Sequence, residues 1–281
     1  MNIKPFYDND TATISYVVAD EKSKQCAIID SVLNLDPQSG KTEYTGANTI
    51  IKYIQEQQLT VEWILETHIH ADHLTASQYL KEKLGGKLGI GSNIKAVFDF
   101  WNPFFQLNAD GSQFDQLFDD HSTFTIGTLK VEVMHTPGHT PACSSYKIGN
   151  VIFVGDTLFK PESGTSRADF PGGSPESLYH SIQKILSLPD ETHIYLCHDY
   201  PKEGDSFQFV TTVGEEKQHN IMIKQGTSLE EYKQKREAKD KILSVPRLLL
   251  PSLQVNILGG EFPFKESNGS HYLKIPFNKL S

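Results

Sequence analysis

The chain has 281 residues, enough for one large or two modest domains with a full buried core. A hydrophobic share of 38% with scattered charge is that of a globular protein, and a net charge of −9 without a basic run excludes nucleic acid as a natural partner. Three cysteines, Cys26, Cys143 and Cys197, odd in number and without CxxC spacing, exclude a disulfide framework or a structural zinc knot and point to a reducing compartment.

Residues 1–8 carry neither an apolar h-region nor an Arg-rich leader, and no run is long enough to span a bilayer, so a cytoplasmic protein without membrane contact is expected. Residues 11–19 are rich in β-branched side chains and read as a strand, with 25–30 as its hairpin partner. Residues 34–46 read as a loop. Ile50, Ile51 and Ile54 at helical spacing predict a helix over 47–57. A strand at 61–65 runs into Thr67-His68-Ile69-His70-Ala71-Asp72-His73, and Asp72 stands where a helix N-cap would, ahead of Leu74, Leu80 and Leu84. Residues 87–91 read as a short strand. The aromatic stretch 96–105 is either a helix and loop packed on the core or an apolar wall beside a site.

Strands follow at 123–126 and 129–134, the second leading into His135-Thr136-Pro137-Gly138-His139. A hairpin at 143–148 and 151–154 ends in Gly155-Asp156. A helix over 175–186 presents Leu178, Ile182, Ile185 and Leu186 on one face, and a strand at 192–196 ends in Cys197-His198. By strand alternation Cys197 points away from His198 and reads as core. Residues 228–243 predict a mostly exposed charged helix with Leu229, Tyr232 and Ile242 as its apolar contacts. Leu248, Leu249 and Leu250 are expected to be buried, on the same chain or across a homodimer contact.

One pattern recurs: strand after strand ends in a potential metal ligand, at His68, His135, Asp156 and His198. Imidazoles with carboxylates suit a divalent catalytic metal, and a rim of this breadth suits an open catalytic site better than a closed structural one. Residues at adjacent strand ends converge on one sheet edge even when distant in sequence.

The His-x-His-x-Asp-His run, a His before Pro-Gly-His, the Gly-Asp and the late His together resemble the metallo-β-lactamase superfamily over most of residues 10–200. The resemblance implies an αββα sandwich with metal at one sheet edge, here a single domain over 1–281, its core at about 8–205 and an extension over 206–281 packed on it. His73 and the lack of an export signal argue against a secreted lactamase. Two enzyme branches keep the ligands. In the glyoxalase II thioesterase branch, one zinc or iron would take His68, His70, His135 and Asp156, and a second Asp72, His73, Asp156 and His198. In the persulfide dioxygenase branch, one Fe(II) would be held by His68, His135 and Asp156. His70, Asp72, His73 and His198 would then orient ligands and water, and His139 would brace its turn.

Gly164 to Gly173, with Arg167, Asp169 and Phe170, looks like the Gly-x-x-Arg-x-Asp-Phe stretch of persulfide dioxygenases, and no match to the helical glutathione-binding domain of glyoxalase II is seen. Arg167 is either a substrate contact or a structural partner of Asp169; Tyr200 is either a hydroxyl at the metal or a buried structural tyrosine. The implied reaction takes glutathione persulfide and O2 to sulfite and glutathione. Two histidines and one carboxylate on a face leave about three positions open on octahedral iron(II). The alternatives are a dinuclear thioester hydrolase and a non-catalytic metal- or sulfur-binding module.

Overall fold

The computed structural model describes residues 1–202 and 204–279. The chain opens with β1 (Asn2–Asp8), β2 (Thr13–Ala19), β3 (Gln25–Ile29), β4 (Val32–Asp36), β5 (Lys41–Glu43) and α1 (Thr45–Glu56). It continues through β6 (Thr60–Leu65), β7 (Leu74–Thr75), α2 (Ser77–Leu84), β8 (Lys87–Gly91), α3 (Ile94–Phe105) and β9 (Gln116–Phe118). The second half holds β10 (Thr123–Ile126), β11 (Leu129–His135), β12 (Ser144–Ile148), β13 (Val151–Phe153) and α4 (Pro175–Leu186). It closes with β14 (His193–Tyr195), β15 (Val210–Thr212), α5 (Val213–His219), α6 (Leu229–Asp240) and α7 (Leu249–Asn256).

Two six-stranded sheets, ordered β1-β2-β3-β6-β8-β9 and β10-β11-β12-β13-β14-β15, face one another, and β5-β4-β7 form a small third sheet. Every residue of β2 is buried because both faces of its sheet are covered. The period-2 pleat divides them: Tyr16 and Val18 enter the core between the sheets, against Phe153 and Tyr146, while Val17 and Ala19 face the outer helices. On that outer side Ile50 and Ile54 of α1, Leu80 of α2, Trp101 and Phe105 of α3 and Leu253 of α7 cover the first sheet. On the far side Leu178, Ile182 and Ile185 of α4 and Tyr232 of α6 cover Met134, Ile152 and Ile194. The layers run helix, sheet, sheet, helix: the αββα sandwich.

Several local expectations change. Residues 34–46 are not a plain loop, because β4 pairs with β5 on one side and β7 on the other. Asp72 is not an N-cap: Leu74 and Thr75 pair with Leu33 and Val32, and the Thr75 N–H donates to Asn256 Oδ1 at 2.8 Å, so the helix starts only at Ser77. The aromatic stretch is α3, with Val97, Trp101 and Phe105 buried in the core. In α6 Tyr232 is buried, but Ile242 beyond it is 81% exposed; the further buried contact is Arg236, paired with Asp240 at 2.7 Å. Leu248 and Leu249 are buried within the chain. No helix among the described residues is long and apolar enough to cross a membrane.

The topology places the site. β6, β13 and β14 run parallel to their neighbours β3, β14 and β13, so their carboxyl ends reach the same rim. A bridge between Thr13 and His198 ties the two sheets there.

Candidate metal centre

Six sequence-predicted residues and one unpredicted one meet at that rim. His68, His139 and Asp156 form one group of ligating atoms lying within 4.8 Å of one another; His70, Asp72 and His73 form a second. Asp156 sits between them: its Oδ2 is 3.8 Å from His68 Nε2 and 3.6 Å from His139 Nε2, and its Oδ1 is 3.2 Å from His198 Nε2. His198 Nε2 is also 3.4 Å from Asp72 Oδ2. Gly155, at φ +53°, brings Asp156 in; a Cβ on it would lie 2.4 Å from Thr67 Oγ1, so no larger residue fits this approach to the histidine loop.

His135 does not join the cluster. Its Nε2 faces the Phe118 carbonyl at 3.0 Å and its Nδ1 meets Asn93 Nδ2 at 3.1 Å, so both ring nitrogens are occupied on the flank of the first sheet. The strand ends at His135, and the Pro-Gly turn then carries the chain onward to the rim. His139, expected only to brace that turn, is the imidazole that arrives.

Each imidazole has one nitrogen tied back. His139 Nδ1 meets the Arg167 carbonyl at 2.8 Å and His198 Nδ1 the Ala12 carbonyl at 3.1 Å, both of which accept only a proton on Nδ1. His68 Nδ1 is 3.0 Å from Thr67 Oγ1, which itself donates to Asp30 Oδ2 at 2.9 Å, so His68 is the donor. His70 is turned the other way, with Nε2 3.1 Å from Asp30 Oδ1 and 3.5 Å from Glu66 Oε2. His73 Nδ1 lies 3.3 Å from Thr13 Oγ1. The opposite nitrogens of His68, His70 and His73, and Asp156 Oδ1, are buried without a hydrogen-bond partner. Buried polar atoms without partners are costly, and lone pairs held toward a common point by outer hydrogen bonds are how proteins hold metals. The residues fit a metal.

The charge fits too. Burial works against ionising Asp156, yet the imidazoles of His198, His68 and His139 hold its carboxyl well below the usual carboxylate range. Burial likewise opposes the charged form of His198, but Asp156 and Asp72 push it up to about 9. His68, desolvated and beside His70, is held well below the ordinary imidazole value and presents a neutral ring. Cys197 does not turn away as alternation implied: β14 has ended at Tyr195, and the thiol lies near Asp156 and His198 and 3.7 Å from Asp30 Oδ2. Burial pushes its pKa well up, so it stands there as a neutral thiol.

The profile of the Metallo-beta-lactamase superfamily matches residues 9–198. The chain belongs to that superfamily. Among its relatives in the superfamily, Glyoxylase B2 of Dictyostelium discoideum is 48% identical over 99% of this chain and 97% of its own length. The human mitochondrial persulfide dioxygenase ETHE1 is 29% identical over 70% of this chain and 68% of its own. The crystal structure of ETHE1 from Myxococcus xanthus superposes with a TM-score of 0.76 at 29% identity, covering 93% of this chain and all of that one. This metallo-β-lactamase-fold chain thus has full-length relatives with hydrolase-like names and more distant ones named for dioxygen chemistry.

A cavity of about 390 Å³ opens at this rim, lined by Asp72, His139, Asp156 and His198 together with Arg167, Arg236 and Lys239. Arg167 forks onto Asp169 at 2.6 and 2.8 Å, donates to the Ser244 carbonyl and stacks over Phe170, so of its two expected roles the structural pairing is observed, at the wall of the cavity. Tyr200 is not a buried structural residue; it is exposed, its ring parallel to that of His198 with centroids 6.1 Å apart.

Two supporting residues carry no local sequence signal. Glu66, fixed by hydrogen bonds from Thr75 and Ser77, backs His70 together with Asp30. Asn256, at the end of α7, donates to the carbonyls of His70 and His73, each at 2.8 Å, and clamps the histidine loop from the far end of the chain.

Proposed function

We propose that this protein is an iron-dependent persulfide dioxygenase, one Fe(II) per chain, acting on a low-molecular-weight thiol persulfide such as glutathione persulfide. The observation that carries the reading is the group of two imidazoles and one carboxylate, His68, His139 and Asp156, bordering an open cavity. That donor set, with positions left free, is the one non-haem oxygenases use. His139 replaces His135 in the ligand set expected from the sequence. The resemblance of residues 164–173 and the full-length superposition on ETHE1 from Myxococcus xanthus support it.

Bound iron would supply a redox-active centre that accepts a sulfur anion and O2 together. The protein would do the rest. The outer hydrogen bonds fix the imidazoles, the cavity orients the persulfide with its terminal sulfur inward, and holding the reactants together replaces a costly encounter. One persulfide, one O2 and one water give one thiol and one sulfite: the S–S bond breaks, two oxygens come from O2 and one from water, and the terminal sulfur is oxidised.

A second reading has its own observation. His198 lies between Asp156 and Asp72, and Asp72 is 3.5 Å from His73, and the relative named Glyoxylase B2 matches over nearly its full length; both favour a dinuclear thioester hydrolase. Metal counting after anaerobic purification, with O2 uptake on glutathione persulfide run beside S-lactoylglutathione hydrolysis, separates the two. About one iron per chain with O2 uptake is expected. A full metal pair with thioester cleavage and no O2 uptake refutes the dioxygenase.

A further inference from the structure

The loop between Asp156 and α4 has no strand or helix of its own over residues 158–174. Among the described residues, positions 165–169 make no backbone–backbone hydrogen bond, so their polar groups depend on side chains. Arg167 offers its carbonyl to His139 Nδ1 at 2.8 Å, the hydrogen bond that leaves His139 Nε2 facing Asp156. Two residues of α6 grip the loop on either side of that carbonyl. Arg236 Nη1 donates to the Thr165 carbonyl at 2.8 Å, and Asp240 Oδ2 accepts from the Ala168 N–H at 3.1 Å. The two side chains stand one helical turn apart and are joined by Arg236 Nε and Asp240 Oδ1 at 3.0 Å. Both are buried, Arg236 completely.

Stability is a poor reason for such a pair. The desolvation of two buried ions roughly cancels their attraction, and apolar side chains of the same volume serve a core as well. What apolar side chains lack is direction. A guanidinium fork and a carboxylate, bonded to one another, hold two backbone groups in fixed orientations. The Arg167 carbonyl lies between those two groups, so its own direction is fixed, and with it the imidazole it orients.

We propose that Arg236 and Asp240 are positioning residues for His139, acting through the Arg167 carbonyl. The pair sets the tautomer and the aim of one metal ligand from a helix outside residues 9–198, the span that matches the superfamily. The inference rests on the reading of His139 as a ligand, whether the rim holds one metal or two. Outer hydrogen bonds that orient a ligand are worth about tenfold or more in metal affinity.

The test is titration of Co(II) into the metal-free full chain, read by visible absorption, in a cycle of four proteins: wild type, Arg236→Met with Asp240→Leu, His139→Ala, and all three changes together. The apolar pair replaces the ions at similar volume, which favours a kept fold. With His139 in place, the apolar pair should weaken Co(II) binding about tenfold and alter the absorption band that reports ligand geometry. Without His139 it should change binding by less than about twofold. Arg236→Lys keeps the charge but not the fork, so it carries the same cycle should the apolar pair fail to fold. It should weaken binding about threefold with His139 and leave it unchanged without. Equal weakening with and without His139 makes the pair plain structural support and overturns the proposal, as does unchanged binding with His139 present. Wild-type Co(II) affinity in His139→Ala would sink the ligand assignment itself, whereas absent coupling alone would leave that assignment standing. Co(II) binding needs no O2, so these outcomes stand apart from the choice between dioxygenase and hydrolase.

Discussion

His135 and His139 bracket the same turn and offer the same chemistry, yet their surroundings assign them opposite roles. The side chains of Val131 and Val133 face the inter-sheet core, and the same alternation carries His135 toward Phe118. Only the turn through Gly138, at φ +141° and with no room for a Cβ, which would lie 2.3 Å from Leu178 Cα, swings the next histidine to the rim. His139→Ala and Asp156→Ala should therefore lose most of the metal, and His135→Ala should keep most of it, as measured by metal analysis of the purified proteins. Under the mononuclear reading His70→Ala should keep far more than Asp156→Ala; equal loss from the two would discredit that reading. The sequence shows ligand types and strand ends, but it does not show how far a turn carries the chain past a strand. That is why six of the clustered residues were legible from spacing and the seventh was misplaced by four positions.

At the scale of elements, α5 and α7 do work that their amphipathic patterns hide. α7 delivers Asn256 to the His70 and His73 carbonyls across more than 180 residues of sequence. No local period reports such a contact. Asn256→Leu removes one acceptor and two donors from a dry place, so it should destabilise by about 3 kcal/mol in urea unfolding and lower metal retention as well. α5 holds a carboxyl of another kind. Glu216 is fully buried, with one oxygen accepting from Asn220 Nδ2 at 2.6 Å and the other without a partner. Burial pushes its pKa up to about 8, from 4.5. The folded protein therefore binds a proton there that the unfolded chain releases as pH rises past 4.5. The stability this confers is complete below that value and is lost as pH climbs toward 8. Glu216→Gln keeps the shape without the acid. Its stability should come close to wild type near pH 5 and exceed it by roughly 4–5 kcal/mol above pH 8, in unfolding curves taken across that range. A constant difference between the two proteins would show that Glu216 ionises freely.

The whole molecule is two sheets whose facing cores were readable from β-branched runs, joined at a rim whose chemistry was readable from histidine spacing. The part that stayed hidden joins through polar burial. Arg236, a charged residue in a charged helix, reads as solvated, and its burial follows from Asp240 and the Thr165 carbonyl, which only the fold brings to it. The rim in turn collects its groups from β2, β6, β11, β13 and β14, so a bound ion would link both sheets and, through Asn256, the last helix. Four buried ligand atoms without partners, on His68, His70, His73 and Asp156, and two ionised acids are what the rim would have to tolerate without an ion. A metal held by these groups would bind the folded rim and not the dispersed chain, so its removal should destabilise the entire sandwich at once. At a free metal concentration of about a hundred times Kd, the linkage is worth about 2.7 kcal/mol, which is several degrees in Tm for a domain of this size. Chelation of the wild type under anaerobic conditions should lower Tm by that much in a single cooperative transition, and metal addition should restore it. Asp156→Ala, which lacks the shared carboxylate, should show the same Tm with and without chelator. A wild-type Tm indifferent to chelation would mean that the rim holds no ion tightly enough to serve either chemistry.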